Sequence, residues 1–366
     1  MTPGSTAPTP RAAASQALRR IAYLLERAHE ARYRVRAFRN AAAAVDGLSD
    51  AELVERVTRA TLQALSGIGE VTATAITEAV RGDQPTYLRR LEATLGQNLD
   101  AAALALRAAI RGDCHVHSDW SDGGNPVLEM AQAARDLGHH YMALTDHSRN
   151  LAVARGLSAD RLREQLGVTR AINQEVAPFR ILTGIEVDIT EDGELDQEDE
   201  LLAQLDVVVA SIHSKLRSPR EVMTERMVKA IANPNMDILG HCTGRIVVGR
   251  GRPESDFDAE RVFAACQRFG VAVEINSRPE RLDPPKRLLR LAREMGCRFS
   301  IDTDAHAPGQ LEWQINGCER AAACGIPAES IVNTLDAERL LAWIRSRSPA
   351  QGAWPSDGSQ APSCPS

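Results

Sequence analysis

Asp113-Cys114-His115-Val116-His117 decides how this chain is read. Two histidines one residue apart on an extended segment face the same way, so both imidazoles can grip one cation. Four further motifs repeat the theme: Thr145-Asp146-His147, Ser211-Ile212-His213-Ser214, Gly240-His241-Cys242-Thr243-Gly244-Arg245 and Asp302-Thr303-Asp304-Ala305-His306. Each closes an apolar run, and Glu186 sits near the end of another, Ile181-Leu182-Thr183-Gly184-Ile185-Glu186-Val187. The spacing predicts strands over 114–116, 141–144, 181–187, 207–212, 238–239, 271–275 and 299–301. Amphipathic patterns between them predict helices, among them 127–137, 159–176 and 258–269. Alternation of this kind argues a parallel sheet with crossover helices. Polar residues at the end of nearly every strand, rather than at one switch point, favour a closed barrel over an open sheet.

Working outward from the barrel, the chain changes character near residue 110. Upstream, helical spacing is expected over 17–27, 33–45, 51–65 (with Ser49 as N-cap), 72–80, 88–95 and 101–110. The expected organisation is a tail over 1–14, a helical domain over 15–96, a linker helix over 97–110, the barrel over 111–347 and a Pro/Ser/Gly-rich tail over 348–366. Leu65-Ser66-Gly67-Ile68-Gly69-Glu70-Val71 has the form of a helix-hairpin-helix. Gly67, Ile68 and Gly69 would present backbone N–H groups to a DNA phosphate at a helix N-terminus. Arg34, Arg36 and Arg39, interleaved with Tyr33, Val35 and Phe38, form either a phosphate-binding face or a solvated helix face.

Bulk properties bound the function. The 366 residues suffice for one large and one small domain. A net charge of −6 gives no global attraction to nucleic acid, so any DNA contact must be local. No apolar run reaches membrane-spanning length, and residues 1–10 lack a signal-peptide core, so a cytoplasmic location with no membrane partner is expected. Seven cysteines without a Cys-x-x-Cys pair indicate neither a disulfide framework nor a zinc finger.

The candidate ligands are His115, His117, Asp122, His147, Glu186, His213, His241, Asp304 and His306. Asp119 is the rival of Asp122 in the loop after the first strand. Asp188 is the fallback for Glu186, which as a carboxylate in an apolar strand is costly to bury unless paired or metal-bound. Asp146 or Asp113 could brace the imidazole of His147. Mixed nitrogen and oxygen ligation suits Zn, Mn or Fe. Such metals acidify water and neutralise phosphate oxygens, so no serine or cysteine nucleophile is required. Lys215, Arg245 and Arg278 follow the strand ends and are either phosphate contacts or surface charges.

Taken together, Asp113-Cys114-His115-Val116-His117-Ser118, Ser121-Asp122-Gly123, Leu144-Thr145-Asp146-His147, Gly184-Ile185-Glu186-Val187-Asp188, Ser211-Ile212-His213-Ser214, Gly240-His241, Glu274-Ile275-Asn276 and Asp302-Thr303-Asp304-Ala305-His306 resemble the PHP (polymerase and histidinol phosphatase) metal-dependent phosphoesterases. The resemblance spans about residues 111–345. It implies a distorted (β/α)7 TIM-like barrel holding up to three divalent metals. His115, His117, Glu186 and Asp304 would hold one metal, Glu186, His213 and His241 a second, and Asp122, His147 and His306 the third. His115, His117, Glu186, Asp304 and His306 are the residues it places in catalysis. Cys114 and Cys242 stand where the family commonly has Leu and Pro; neither removes a ligand.

Residues 16–95 are similar to the N-terminal helical domain of bacterial family X DNA polymerases, through Ile21-Ala22-Tyr23-Leu24-Leu25-Glu26, Arg34-Val35-Arg36-Ala37-Phe38-Arg39 and the glycine hairpin. The short stretch between the modules has no room for a polymerase palm. The expectation is a hydrolase cleaving DNA phosphodiesters, as a 3′–5′ exonuclease or 3′-end processing enzyme of DNA repair, with DNA held non-specifically by the hairpin. The alternative is a small-molecule phosphatase acting on histidinol phosphate or a nucleotide. A DNA-binding scaffold with structural metals is the third reading.

Overall fold

The computed structural model describes residues 8–28, 30–95 and 100–347. Half of the tail expected over 1–14, residues 1–7, and all of that over 348–366 lie outside the described residues. Two compact units divide between Asn98 and Leu99.

The first unit is all-helical: α1 (Pro10–Arg27), α2 (Arg32–Asp46), α3 (Asp50–Thr58), α4 (Glu70–Val80) and α5 (Thr86–Leu95). Leu18, Ile21, Leu25, Phe38, Val45, Leu53 and Ile76 form its core. Helix α1 starts well before the expected 17, so residues 10–14 belong to it rather than to the tail. Thr9 caps it and Pro10 occupies its first turn, a start signal hidden in a Pro/Thr/Ala-rich stretch. Ser49 caps α3 in a reciprocal capping box with Glu52. The helix expected over 51–65 ends at Thr58, because Ala60 takes a left-handed conformation (φ 53°) and a short 3-10 turn, Leu62–Ala64, follows.

The second unit opens with α6 (Ala101–Ala109). Seven strands follow in order: β1 (Gly112–Val116), β2 (Tyr141–Leu144), β3 (Arg180–Asp188), β4 (Val207–Ser211), β5 (Ile238–Leu239), β6 (Ala272–Asn276) and β7 (Phe299–Asp302). All neighbours pair in parallel, in sequence order. Helices α7 (Val127–Asp136), α8 (Ala159–Val176), α9 (Asp199–Leu202), α10 (Arg220–Ile231), α11 (Ala259–Phe269), α12 (Lys286–Glu294), α13 (Gln314–Ala323) and α14 (Ala337–Ser346) cover the outside. Strands buried on both faces need continuous apolar runs, which is why these strands were so legible.

The seam between β1 and β7 is closed chiefly by side chains and loop backbone. The Cys114 amide donates to Asp302 Oδ1 (2.8 Å), the Thr303 hydroxyl to Asp113 Oδ2 (2.6 Å) and the His117 amide to the Ala305 carbonyl (2.8 Å). The result is a distorted, nearly closed (β/α)7 barrel. Helix α6, expected as a linker, is part of this unit: Ala103, Leu106 and Ile110 lie in the barrel's main core cluster. No described helix is long and apolar enough to cross a membrane. The six described cysteines are buried and free.

Candidate metal centre

Parallel strands place every strand's C-terminal end at the same mouth of the barrel. His115 lies on β1 and His117 just beyond it; His147, His213, His241, Asp304 and His306 follow β2, β4, β5 and β7. Glu186 is two residues from the end of β3 and occupies the centre. Its Oε2 lies 3.3 Å from His115 Nε2, 3.5 Å from His117 Nε2 and 2.8 Å from His147 Nδ1. Its Oε1 lies 3.0 Å from His241 Nε2 and 3.4 Å from His213 Nε2. Burial alone would raise this carboxyl's pKa, but the imidazoles of His147, His115 and His213 outweigh it and hold Glu186 well below the usual carboxylate range.

Asp122 Oδ1 lies 3.2 Å from His306 Nε2 and 3.7 Å from His147 Nε2. Asp119 and Asp122 are both exposed, and of the two it is Asp122 whose carboxylate meets the cluster imidazoles. Asp304 Oδ1 is 3.5 Å from His117 Nε2. Asp304 takes a left-handed backbone (φ 53°), a conformation that Asp tolerates better than most residues. All nine candidates are thus brought together. Three subsets place their ligand atoms within 4.8 Å of one another: His117, Asp122, His147 and His306; His115, His117 and Glu186; His147, Glu186 and His213. The first contains the whole expected third set and adds His117.

The donor set fits divalent metals on a further ground. His115 Nε2, both ring nitrogens of His117, His213 Nε2 and Glu186 Oε2 are buried without a hydrogen-bond partner. Several lie 3.3 to 3.5 Å from an opposing oxygen or nitrogen, yet lack the angles of a hydrogen bond. Buried polar atoms are seldom left so, and convergent orphaned imidazoles are what a coordinated cation satisfies.

Bracing residues surround the cluster. Glu274, in mid-β6, engages His115 Nδ1 through Oε1 (2.6 Å) and accepts from the His241 amide through Oε2 (2.5 Å). Asp188, the fallback for Glu186, lies 3.4 Å from His213 Nδ1 instead. Asp146 and Asp113 do not brace His147. Asp146 accepts from the Ser118 and Ser121 hydroxyls and from Gln165, tying down the loop after β1. Asp113 accepts from Thr303 and the His115 amide. Successive side chains on extended backbone diverge, so adjacency to His147 gave the wrong partner.

Of the three expected phosphate contacts, only Arg278 reaches the cluster. Its Nη1 lies 3.3 Å from Asp304 Oδ1 and 3.1 Å from His306 Nδ1. Arg245 is turned away, donating to the Arg281 and Leu282 carbonyls. Lys215 is exposed and lies 3.8 Å from Glu191. Arg281, which sequence reasoning missed, puts Nε 3.3 Å from Asp304 Oδ2 and leaves Nη1 buried without a hydrogen-bond partner. Its signal was its place three residues after Arg278. Cys242 is buried, and burial pushes its thiol well above the ordinary range, so it is a packing residue rather than an oxidation-prone one.

In the helical unit, Gly67 takes φ 86° and Gly69 caps α4, giving the expected hairpin. The Gly69 amide donates to Thr72 Oγ1 (2.9 Å) and the Ile68 amide to the Leu65 carbonyl (3.2 Å), with the Ile68 side chain in the core. Arg34 is engaged by Glu30 and Tyr87, and Arg39 pairs with Glu26 at 2.6 Å; Arg36 is exposed. The basic run is therefore partly internal structure.

Comparison with protein-family models matches residues 113–278 to the PHP domain. The barrel is a PHP domain. Residues 9–84 match a helix-hairpin-helix domain. PHP domains are phosphoesterase hydrolases, and this one carries a nine-residue candidate metal cluster.

The DNA polymerase/3′-5′ exonuclease PolX of Bacillus subtilis (strain 168) is 38% identical over 246 residues, 67% of this chain and 43% of the relative. The chain thus spans less than half of that relative's length. A probable phosphatase of Thermoanaerobacter sp. (strain X514) is 28% identical over 236 residues, 61% of this chain and 89% of the relative. A solved histidinol phosphate phosphatase from Lactococcus lactis, with zinc, L-histidinol and phosphate bound, aligns with 59% of this chain and 94% of its own at 17% identity and a TM-score of 0.45.

Proposed function

We propose that the PHP barrel hydrolyses DNA phosphodiesters at a 3′ end, as a metal-dependent exonuclease or end-processing enzyme. The observation that carries this reading is the pairing in one chain of a complete His/Asp/Glu cluster with a helix-hairpin-helix domain. The PolX relative, named for a 3′-5′ exonuclease, supports it.

Zinc, manganese or iron, up to three ions, would be held by His115, His117, Glu186 and Asp304, by Glu186, His213 and His241, and by Asp122, His147 and His306. Bound divalent metal supplies acidified water and neutralises phosphate charge. Around it, Glu186 keeps the imidazoles converged and Glu274 fixes the orientation of His115. Arg278 and Arg281 both contact Asp304, and their guanidinium groups would be the cations nearest to a phosphate held beside that carboxylate. Six of the nine candidate ligands are buried, which lowers screening and strengthens the charge interactions among them.

The test is incubation of the protein and its His115→Ala variant with Mn²⁺ and 5′-labelled gapped duplex DNA. The expected result is a ladder shortening from the 3′ end, reduced at least about a hundredfold in the variant. Intact DNA together with turnover of histidinol phosphate or a nucleotide would overturn this reading. It would favour a small-molecule phosphatase, which the match to probable phosphatases along 89% of their length supports.

A further inference from the structure

Two loops at the barrel mouth carry a surface feature that the metal cluster does not use. The loop after β2 runs Arg149-Asn150-Leu151-Ala152-Val153-Ala154-Arg155, and the loop after β5 runs Val247-Val248-Gly249-Arg250-Gly251-Arg252. Val153 is 92% exposed, Val247 49% and Val248 47%; they are three of the eight large apolar side chains exposed among the described residues. Arg149, Arg155 and Arg250 are exposed beside them, and among the described residues none of the three guanidinium groups pairs with a carboxylate. This departs from the chain's net charge of −6.

Neither loop is a loose tip. The first is clamped by the Asn150 amide and the Ser148 hydroxyl on Asp196 (2.9 and 2.5 Å) and by the Leu157 amide on the His147 carbonyl (2.7 Å). Gly156 packs so closely that a Cβ there would lie 1.8 Å from the Ser148 carbonyl oxygen. The second is a small hairpin closed by reciprocal Ile246 and Arg252 backbone bonds (3.0 and 2.8 Å) and by the Val247 amide on the Glu280 carbonyl (2.7 Å). Its turn uses the positive φ of Gly249 and Gly251. Both loops follow ligand-bearing strand ends, three strands apart in the seven-strand order, so they rise from different sectors of one mouth.

Resting on the DNA phosphodiesterase reading above, we infer that these two rigid valine–arginine prongs grip an unpaired nucleic-acid strand at the metal site. The arginines engage backbone phosphates, and the valines lie against base faces. Charge complementarity favours this occupant: a polyanion that also offers flat apolar faces matches alternating guanidinium and aliphatic groups, and needs no sequence readout. A phosphorylated small molecule would fill the cluster without reaching exposed valines on two separate loops.

The test compares wild type with two triple variants, Val153→Ser/Val247→Ser/Val248→Ser and Arg149→Gln/Arg155→Gln/Arg250→Gln. All six side chains are exposed, so the fold is expected to survive, as circular dichroism checks. The readout is kcat/KM for a 5′-labelled single-stranded oligothymidylate of about ten nucleotides, divided by kcat/KM for bis(p-nitrophenyl) phosphate. The valine variant should lower this ratio about tenfold, through KM. The arginine variant should lower it too and flatten the log–log salt dependence by about two. Ratios and salt slopes equal to wild type, with wild type cutting the oligonucleotide, would overturn the inference while leaving the DNA reading intact. A wild type that cleaves the small diester but not the oligonucleotide would overturn the DNA reading itself, and this inference with it.

Discussion

Glu274 separates positioning from ligation. It touches His115 Nδ1 and the His241 amide and is fully buried, so its carboxylate orients one imidazole and anchors the backbone that carries another. Glu274→Gln keeps the size but weakens the charge-assisted contact, and metal affinity is predicted to fall about 10- to 100-fold with secondary structure unchanged. Competition with a chromogenic chelator measures this; unaltered affinity would remove Glu274 from the account. Gly240 precedes His241, and a Cβ there would lie 2.2 Å from Ser211 Oγ and 2.9 Å from Val209 Cγ1. Gly240→Ala should therefore cost about 1–3 kcal/mol in urea unfolding, and a variant as stable as wild type would contradict that packing. The nine candidate ligands stood out in the sequence because imidazoles and carboxylates at the ends of apolar runs need a reason to be there. Glu274 and Arg281 were not assigned roles, because what they do depends on neighbours across the barrel. Lys215 and Arg245 show the converse: following a strand end does not settle which way a long side chain turns.

At the scale of elements, α6 offers a pH test away from the metal centre. Arg107 on α6 and Gln314 on α13 both meet His139 Nε2, at 3.1 and 3.0 Å. Burial first, and then Arg107, pushes the His139 imidazole down to about 3. An unfolded histidine titrates near about 6.5, so the folded pKa is the lower one. The contribution to stability is then full above about 6.5 and is lost as pH falls below it toward about 3. Between pH 7 and pH 5 the loss is about 2 kcal/mol, and His139→Gln should lack that share in urea unfolding at the two pH values. Equal slopes for wild type and variant would show that His139 is not the buried neutral group described here. The strands could be read from sequence to within one or two residues because both faces are buried. Helix α6 was misjudged as a linker because an alanine-rich helix signals its partner weakly; its small face is what lets it pack closely against the barrel. The start of α1 was hidden for a different reason, since Thr9 and Pro10 are at once capping residues and tail-like composition.

For the whole molecule, the change of character near residue 110 revealed two modules, while the division itself falls between residues 98 and 99, ahead of α6. If the helical module retains DNA and the barrel cuts it, Glu186→Gln should abolish cleavage while leaving the affinity for gapped duplex within about twofold. Loss of both together, seen by fluorescence anisotropy, would contradict that division of labour. Beneath every functional statement lies one claim, that Glu186 and the surrounding imidazoles form a multinuclear metal centre. Elemental analysis of the purified protein by mass spectrometry tests it most directly. The account predicts roughly two to three divalent ions per chain in wild type and a loss of at least about one in Glu186→Gln. Wild-type protein that hydrolyses phosphoesters with no bound metal, or a variant with unchanged metal content, would contradict it.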